Sequence, residues 1–197
     1  MPSFREIRAR EKKIDIVKTA AEVFREKGYA GATVEEIASR LMLTKGSIYY
    51  YVKNKEDLLF YCHDMAMDLI LNKIETIDAS EDMPDEKLRN IIKSHIEVLI
   101  DELNLITVLL QEEYRLSEEP RRKIIEKRDK LDNIIKKTIR EGMEMGIFRK
   151  DINPSLVRFI IMGSINWIPH WYRKSGSLTK TEIGDYFADY LVNSLKN

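Results

Sequence analysis

Residues 43–58 read LTKGSIYYYVKNKEDL. Three consecutive tyrosines follow a Lys-Gly-Ser step and precede a run of alternating charge. A buried strand takes such aromatic residues readily, whereas a solvent-facing helix has little use for them. The flanking pattern decides. Thr44 suits a helix N-cap, and Ile48 and Val52 stand four apart on one helical face. The stretch therefore reads as a helix of about two turns, ended by Lys53-Asn54. Ahead of it, Thr33 and Glu36 have capping-box spacing, and Val34, Ile37, Ala38 and Leu41 form the apolar face of another helix. Ile14, Val17, Ala21 and Phe24 mark a first helix, with Gly28 as its stop. The second and third helices, joined by a few residues, form a helix-turn-helix. Ile48 and Val52 turn inward, which leaves Lys45, Gly46, Ser47, Tyr49 and Tyr50 for an outer surface or the flanks.

Helical periodicity continues to the end of the chain, and the fold class is all-α. A fourth helix over about 55–77 carries Leu58, Cys62, Met65, Leu69, Ile70, Ile74 and Ile77. The run DASEDMPD at 78–85 is the clearest loop. A fifth helix follows through Leu88 to Leu103, and a short sixth reaches about Tyr114. Ser117 opens a seventh that ends at Gly146. Asn153-Pro154 opens the eighth as N-cap and first helical residue. Thr179 and Glu182 form a capping box for the last. The reading gives about nine helices, with a domain boundary between residues 1–55 and 56–197. Pro169 should kink the eighth helix near Trp167.

Charge is distributed unevenly. The chain of 197 residues has a formal net charge of zero. Residues 1–55 nevertheless hold 12 Lys and Arg against 7 Asp and Glu, and the remainder is correspondingly acidic. A basic head on an acidic body fits a nucleic-acid-binding module joined to another function. The arm at 1–13, with five basic residues against Glu6 and Glu11, is either a further phosphate or minor-groove contact or disordered. A single cysteine excludes an internal disulfide and suits a reducing compartment. The N-terminus lacks the apolar core of a signal peptide, and the apolar run 159–168 is too short to span a bilayer. The expectation is a cytoplasmic protein with no membrane partner.

Catalytic chemistry finds no support. There is no glycine-rich phosphate loop, nucleophile elbow or HExxH. Cys62-His63-Asp64 resembles a metal cluster on paper, but neighbouring helical residues point about 100° apart and cannot converge on one ion unaided. No cofactor or metal is expected. The pairs Glu112-Glu113 and Glu118-Glu119 read as solvated faces.

In a helix-turn-helix, the third helix of the unit enters the DNA major groove. Lys45 then supplies a charge for phosphate, and Ser47 and the tyrosine hydroxyls supply donors. The aromatic bodies can pack on thymine methyls, and Gly46 allows close backbone approach. Lys55 sits where a phosphate clamp would serve.

Residues 10–60, through the run AAEVFREKGYAGATVEEIASRLMLTKGSIYYYVKNKEDLL, resemble the DNA-binding domain of the TetR family of bacterial transcription regulators. The resemblance implies that Thr33, Thr44, Lys45, Ser47, Tyr49, Tyr50 and Lys55 face DNA. Many members have histidine where this chain has Tyr51, a departure that bears on packing or operator choice. It also implies a C-terminal helical domain for ligand binding and dimerisation. The stretch INWIPHWYRKSGSLTKTEIGDYFADYLVNSL resembles members that sense coenzyme A thioesters of lipids. The resulting expectation is a homodimeric repressor released from a palindromic double-stranded operator by a lipophilic small molecule or acyl-CoA. His95, Tyr114, Trp167 and Trp171 are the candidate effector-pocket residues. For His95 the competing role is a satisfied core histidine, and for Trp167 and Trp171 it is a dimer interface. Tyr186, Phe187, Tyr190 and Leu191 are the candidate dimer interface. Two rival readings stay open: a constitutive DNA-binding protein without effector, and a helical small-molecule-binding protein that has lost DNA binding.

Overall fold

A computed structural model describes residues 3–196. Every regular element among them is helical. The order is α1 Phe4–Gly31, α2 Val34–Arg40, α3 Lys45–Tyr49, α4 Lys55–Asp78, α5 Pro84–Asp101, α6 Leu103–Gln111, a 3-10 turn at Glu113–Arg115, α7 Glu118–Glu144, α8 Pro154–Asn166, α9 Ile168–Trp171 and α10 Lys180–Asn193. α8 and α9 are two arms of one helix broken at Trp167, two residues before Pro169. Counted as one, they leave the expected nine helices among the described residues.

Most helix starts follow their sequence signals. Thr44 accepts from the Ser47 amide, Asn153 from the amides of Ser155 and Leu156, and Thr179 closes a full capping box with Glu182. α1 differs from expectation. Ser3 and Glu6 form a capping box that starts it at Phe4, so the arm that residues 4–13 were read as forming is helical. Met1 and Pro2 lie outside the described residues. Gly28, at φ +69°, ends the regular part of α1. The capping box read at Thr33 is half formed. Thr33 accepts from the Glu36 amide, but the Glu36 carboxylate is taken by Lys27 and Arg40.

The turn between α2 and α3 closes as a Schellman motif. The amide of Leu43 donates to the carbonyl of Ala38 at 2.9 Å, and that of Met42 to Ser39 at 3.1 Å. The first residue after the C-cap Leu41 takes the left-handed conformation in this motif, and here it is Met42, at φ 53°.

The chain divides into two compact units. The first holds the residues through Ala66 together with Asn104–Ile124. Ile16, Val17, Ala20, Phe24, Ile37, Ile48, Leu58 and Cys62 are buried in it. α6 and the 3-10 turn thus fall in the same unit as the helix-turn-helix. The second unit holds Met67–Leu103 and Ile125–Asn197. In it α10 lies against α5 closely enough that a Cβ on Gly184 would stand 3.6 Å from the Lys93 Cα. Ion pairs join the later part of α4 to α7: Lys127 to Asp68 at 2.6 Å, Lys137 to Asp78 at 2.9 Å, and Lys130 to Glu75. No helix among the described residues is long and apolar enough to cross a membrane.

Candidate nucleic-acid interface

The helix-turn-helix leaves most of the expected residues exposed. Ile48 and Val52 are buried, which fixes the orientation of α3. Thr33, Thr44, Lys45, Gly46, Tyr49 and Tyr50 are exposed, and Ser47 is half-buried. The side chains of Thr44 and Ser47 share a hydrogen bond of 2.8 Å. Tyr50 is 75% exposed and Tyr49 42%. Tyr51, half-buried, meets Tyr50 edge-on at 5.0 Å between ring centroids. The pattern Lys-Gly-Ser-Ile-Tyr-Tyr thus alternates between one buried anchor and a face of small, cationic and aromatic groups.

Electrostatics on this surface include a residue that the sequence reading missed. Lys45 forms an ion pair with Glu35, on the first turn of α2. The bond holds the Glu35 carboxyl below its usual range and raises the Lys45 ammonium. Lys45 also stands 5.7 Å from the centroid of the Tyr49 ring. Acidic residues in a helix's first turn are common enough that Glu35 carried no special signal.

Lys55, expected as a phosphate clamp, is engaged within the protein. Its Nζ donates to the carbonyl of Tyr29 at 2.7 Å and to that of Ala32 at 2.9 Å, and lies 4.4 Å from the Tyr29 ring centroid. These carbonyls follow the break at Gly28, where α1 leaves them without helical partners. Glu112 also departs from expectation. It is not a solvated face: its carboxylate accepts from the Tyr29 amide at 3.2 Å and from Arg115 Nε at 2.6 Å. Glu56 accepts from the Ser117 amide at 2.7 Å.

The residues expected to line an effector pocket are placed differently from one another. His95, on α5, is buried, and its Nδ1 has no hydrogen-bond partner among the described residues. Burial pushes its pKa down to about 4. Trp167 and Trp171 are open to solvent: Trp167 stacks on His170 at 4.2 Å, and Trp171 lies 6.5 Å from Phe187. Tyr114, exposed, lies in the first unit. Of the expected interface residues, Tyr186 and Tyr190 are each 73% exposed, while Phe187 and Leu191 are half-buried. Cys62 is buried, and its Sγ donates to the Val17 carbonyl at 3.4 Å.

Two family profiles match this chain. One, described as bacterial regulatory proteins of the tetR family, matches residues 16–62. The other, described as a tetracyclin repressor-like C-terminal domain, matches residues 81–195. The chain belongs to the TetR family. It is accordingly a DNA-binding transcription regulator and not an enzyme. TetR relatives match nearly end to end. The fatty acid metabolism regulator protein of Bacillus subtilis is 28% identical over 189 residues, covering 95% of this chain and 97% of that protein. The HTH-type transcriptional repressor KstR2 of Mycobacterium tuberculosis is 27% identical, covering 92% and 91%. Among solved TetR-like structures, AibR in complex with isovaleryl coenzyme A and operator DNA is 26% identical. It aligns with a TM-score of 0.81 over 93% of this chain and 97% of AibR.

Proposed function

We propose that this TetR-family protein is a homodimeric repressor that leaves its operator when a lipophilic small molecule binds, with acyl-CoA thioesters the favoured class. The observation that carries the DNA-binding arm is the exposed set Thr33, Thr44, Lys45, Gly46, Tyr49 and Tyr50, with Ser47 half-buried among them and α3 anchored by the buried Ile48 and Val52. Lys45 meets phosphate, and the tyrosines meet base edges or sugars. Lys55 is left out of this contact set, because its ammonium is already used within the protein. A DNA-binding regulator works where the chromosome is, in the bacterial cytoplasm.

Dimerisation is supported by an uncovered apolar stripe. Leu156, Phe159, Ile160, Gly163 and Trp167 recur at helical spacing along α8 and are exposed. Nothing among the described residues stands within 4 Å of a Cβ on Gly163, so a neighbouring helix could approach there. Tyr186 and Tyr190 add a second exposed pair on α10. Contiguous apolar surface of this kind marks an interface. A second copy of the chain covers it, with the two subunits' α8 and α10 meeting across a twofold axis.

The effector class rests on relatives: one is named for fatty acid metabolism, and another was solved with isovaleryl coenzyme A and operator DNA. Within this chain, the enclosed His95 with its unpartnered Nδ1 is the group best suited to meet a polar atom of an otherwise apolar ligand. The test combines two titrations. Acyl-CoA thioesters of graded chain length are screened by thermal shift, since a ligand that binds the native state raises its melting temperature. The best binder is then added to the protein–operator complex. A loss of operator affinity of about tenfold or more, equivalent to about 1.4 kcal/mol of differential binding, supports the proposal. Tight binding that leaves operator affinity unchanged favours the constitutive reading.

A further inference from the structure

Glu35 and Lys45 stand on the first turns of α2 and α3, and their side chains meet in an ion pair. The pair is not buried: the two side chains are 58% and 49% exposed. A carboxylate therefore stands among the groups read above as the DNA face, next to Lys45 and beyond it Tyr49. The neighbouring acid is used differently. Glu36 is held by Lys27 and Arg40.

A carboxylate in this position has a problem to solve when DNA arrives. Phosphates repel it, and they draw Lys45 away from it. Once the lysine turns to phosphate, Glu35 needs another donor. The major groove offers a carboxylate two kinds, the N4 amino group of cytosine and the N6 amino group of adenine. Adenine N6 stands beside the N7 acceptor, which repels the second carboxylate oxygen. Cytosine N4 has a C–H beside it and no such acceptor.

We propose that Glu35 is a specificity-determining residue that accepts a hydrogen bond from cytosine N4 in each operator half-site while Lys45 passes to phosphate. DNA without an amino group at that place leaves Glu35 facing the polyanion unpaired, and is disfavoured. The proposal rests on α3 entering the groove. The rival is that Glu35 only favours the start of α2 and tethers Lys45.

The experiment selects binding sites from a pool of randomised duplexes, using the full chain as wild type, Glu35→Ala, Glu35→Gln and Lys45→Ala. Wild type should enrich cytosine at one position in each half-site. Glu35→Ala should lose that preference by roughly tenfold in relative affinity, and bind unselected duplex more tightly. Glu35→Gln should move the preference toward adenine, whose N6 and N7 suit an amide. Lys45→Ala should weaken binding to all sequences alike. If Lys45→Ala weakens binding but Glu35→Ala keeps the wild-type profile, the role of Glu35 is overturned and the DNA face stands. If neither substitution alters binding, the DNA face itself is misplaced and both readings fall.

Discussion

Lys55 donates from Nζ to the backbone carbonyl of Tyr29 at 2.7 Å, tying the first residue of α4 to the end of α1. The same ammonium reaches the Ala32 carbonyl and lies over the Tyr29 ring. The Glu112 carboxylate takes the Tyr29 amide. The chain after Gly28 is thus satisfied by side chains where its helical hydrogen bonds stop, and the start of α2 is fixed next to it.

On the proposed reading, Lys55 should act on stability and Lys45 on DNA. Lys55→Ala leaves two part-buried carbonyls without their charged donor and should cost about 1–3 kcal/mol in urea unfolding. It should leave the slope of log affinity against log salt unchanged. Lys45→Ala should do the reverse: little change in unfolding, and a slope flatter by roughly one unit. A flattened slope in Lys55→Ala would return that lysine to the phosphate contacts.

Met42 offers a gain in stability. It is 94% exposed and sits at φ 53° in the turn between α2 and α3. Its side chain packs little, while its Cβ makes the left-handed conformation costly. Met42→Gly should stabilise the protein by about 0.5–1 kcal/mol, read as a raised melting temperature. A fall would mean that the side chain makes contacts in the assembled protein.

His95 should make stability depend on pH. Burial holds its folded pKa near 4, below the value near 6.5 of an exposed imidazole. The unfolded chain therefore binds the extra proton between those values. The contribution is present in full above about pH 6.5 and is lost as pH falls toward about 4, amounting to roughly 3 kcal/mol. His95→Leu should fill similar space without the unpartnered nitrogen. Its melting temperature should fall less than that of wild type between pH 7 and pH 5. Parallel curves would show that His95 is not the group responsible.

Ile160→Asp tests the apolar stripe on α8. Ile160 is exposed within the subunit, so the change should leave each subunit folded. At a subunit interface it buries an unpaired charge, costing several kcal/mol. Sedimentation should show monomers, and operator binding should collapse because half-sites are then held singly. A variant that remains dimeric would move the interface off α8.

The parts of the fold that were legible in the sequence depend on short-range chemistry. Thr44, Asn153 and Thr179 cap helices within three residues of themselves, Gly28 ends the regular part of α1, and Pro169 follows the break in the eighth helix. Ser3 and Glu6 carried the same kind of signal, but the apolar periodicity begins only at Ile14, and α1 was read as starting late. The orientation of α3 could be read because Ile48 and Val52 leave one choice of buried face. The partners of charged side chains were not legible. Lys55 meets Tyr29 and Ala32, Glu112 meets Tyr29, and Lys45 meets Glu35, all across turns or between helices. A lysine near a recognition helix looks the same in sequence whether it faces phosphate or a carbonyl.

The central claim is that the open face of α3 reads DNA, and Tyr50 tests it most directly. Its ring is largely exposed, so Tyr50→Ala should leave the melting temperature close to that of wild type. Affinity for a duplex selected by the wild-type protein should be measured for both at the same salt concentration. The account predicts a loss of about 1–3 kcal/mol, roughly 5- to 150-fold in Kd. Full affinity in a folded, dimeric Tyr50→Ala protein, and again in Tyr49→Ala, would contradict it.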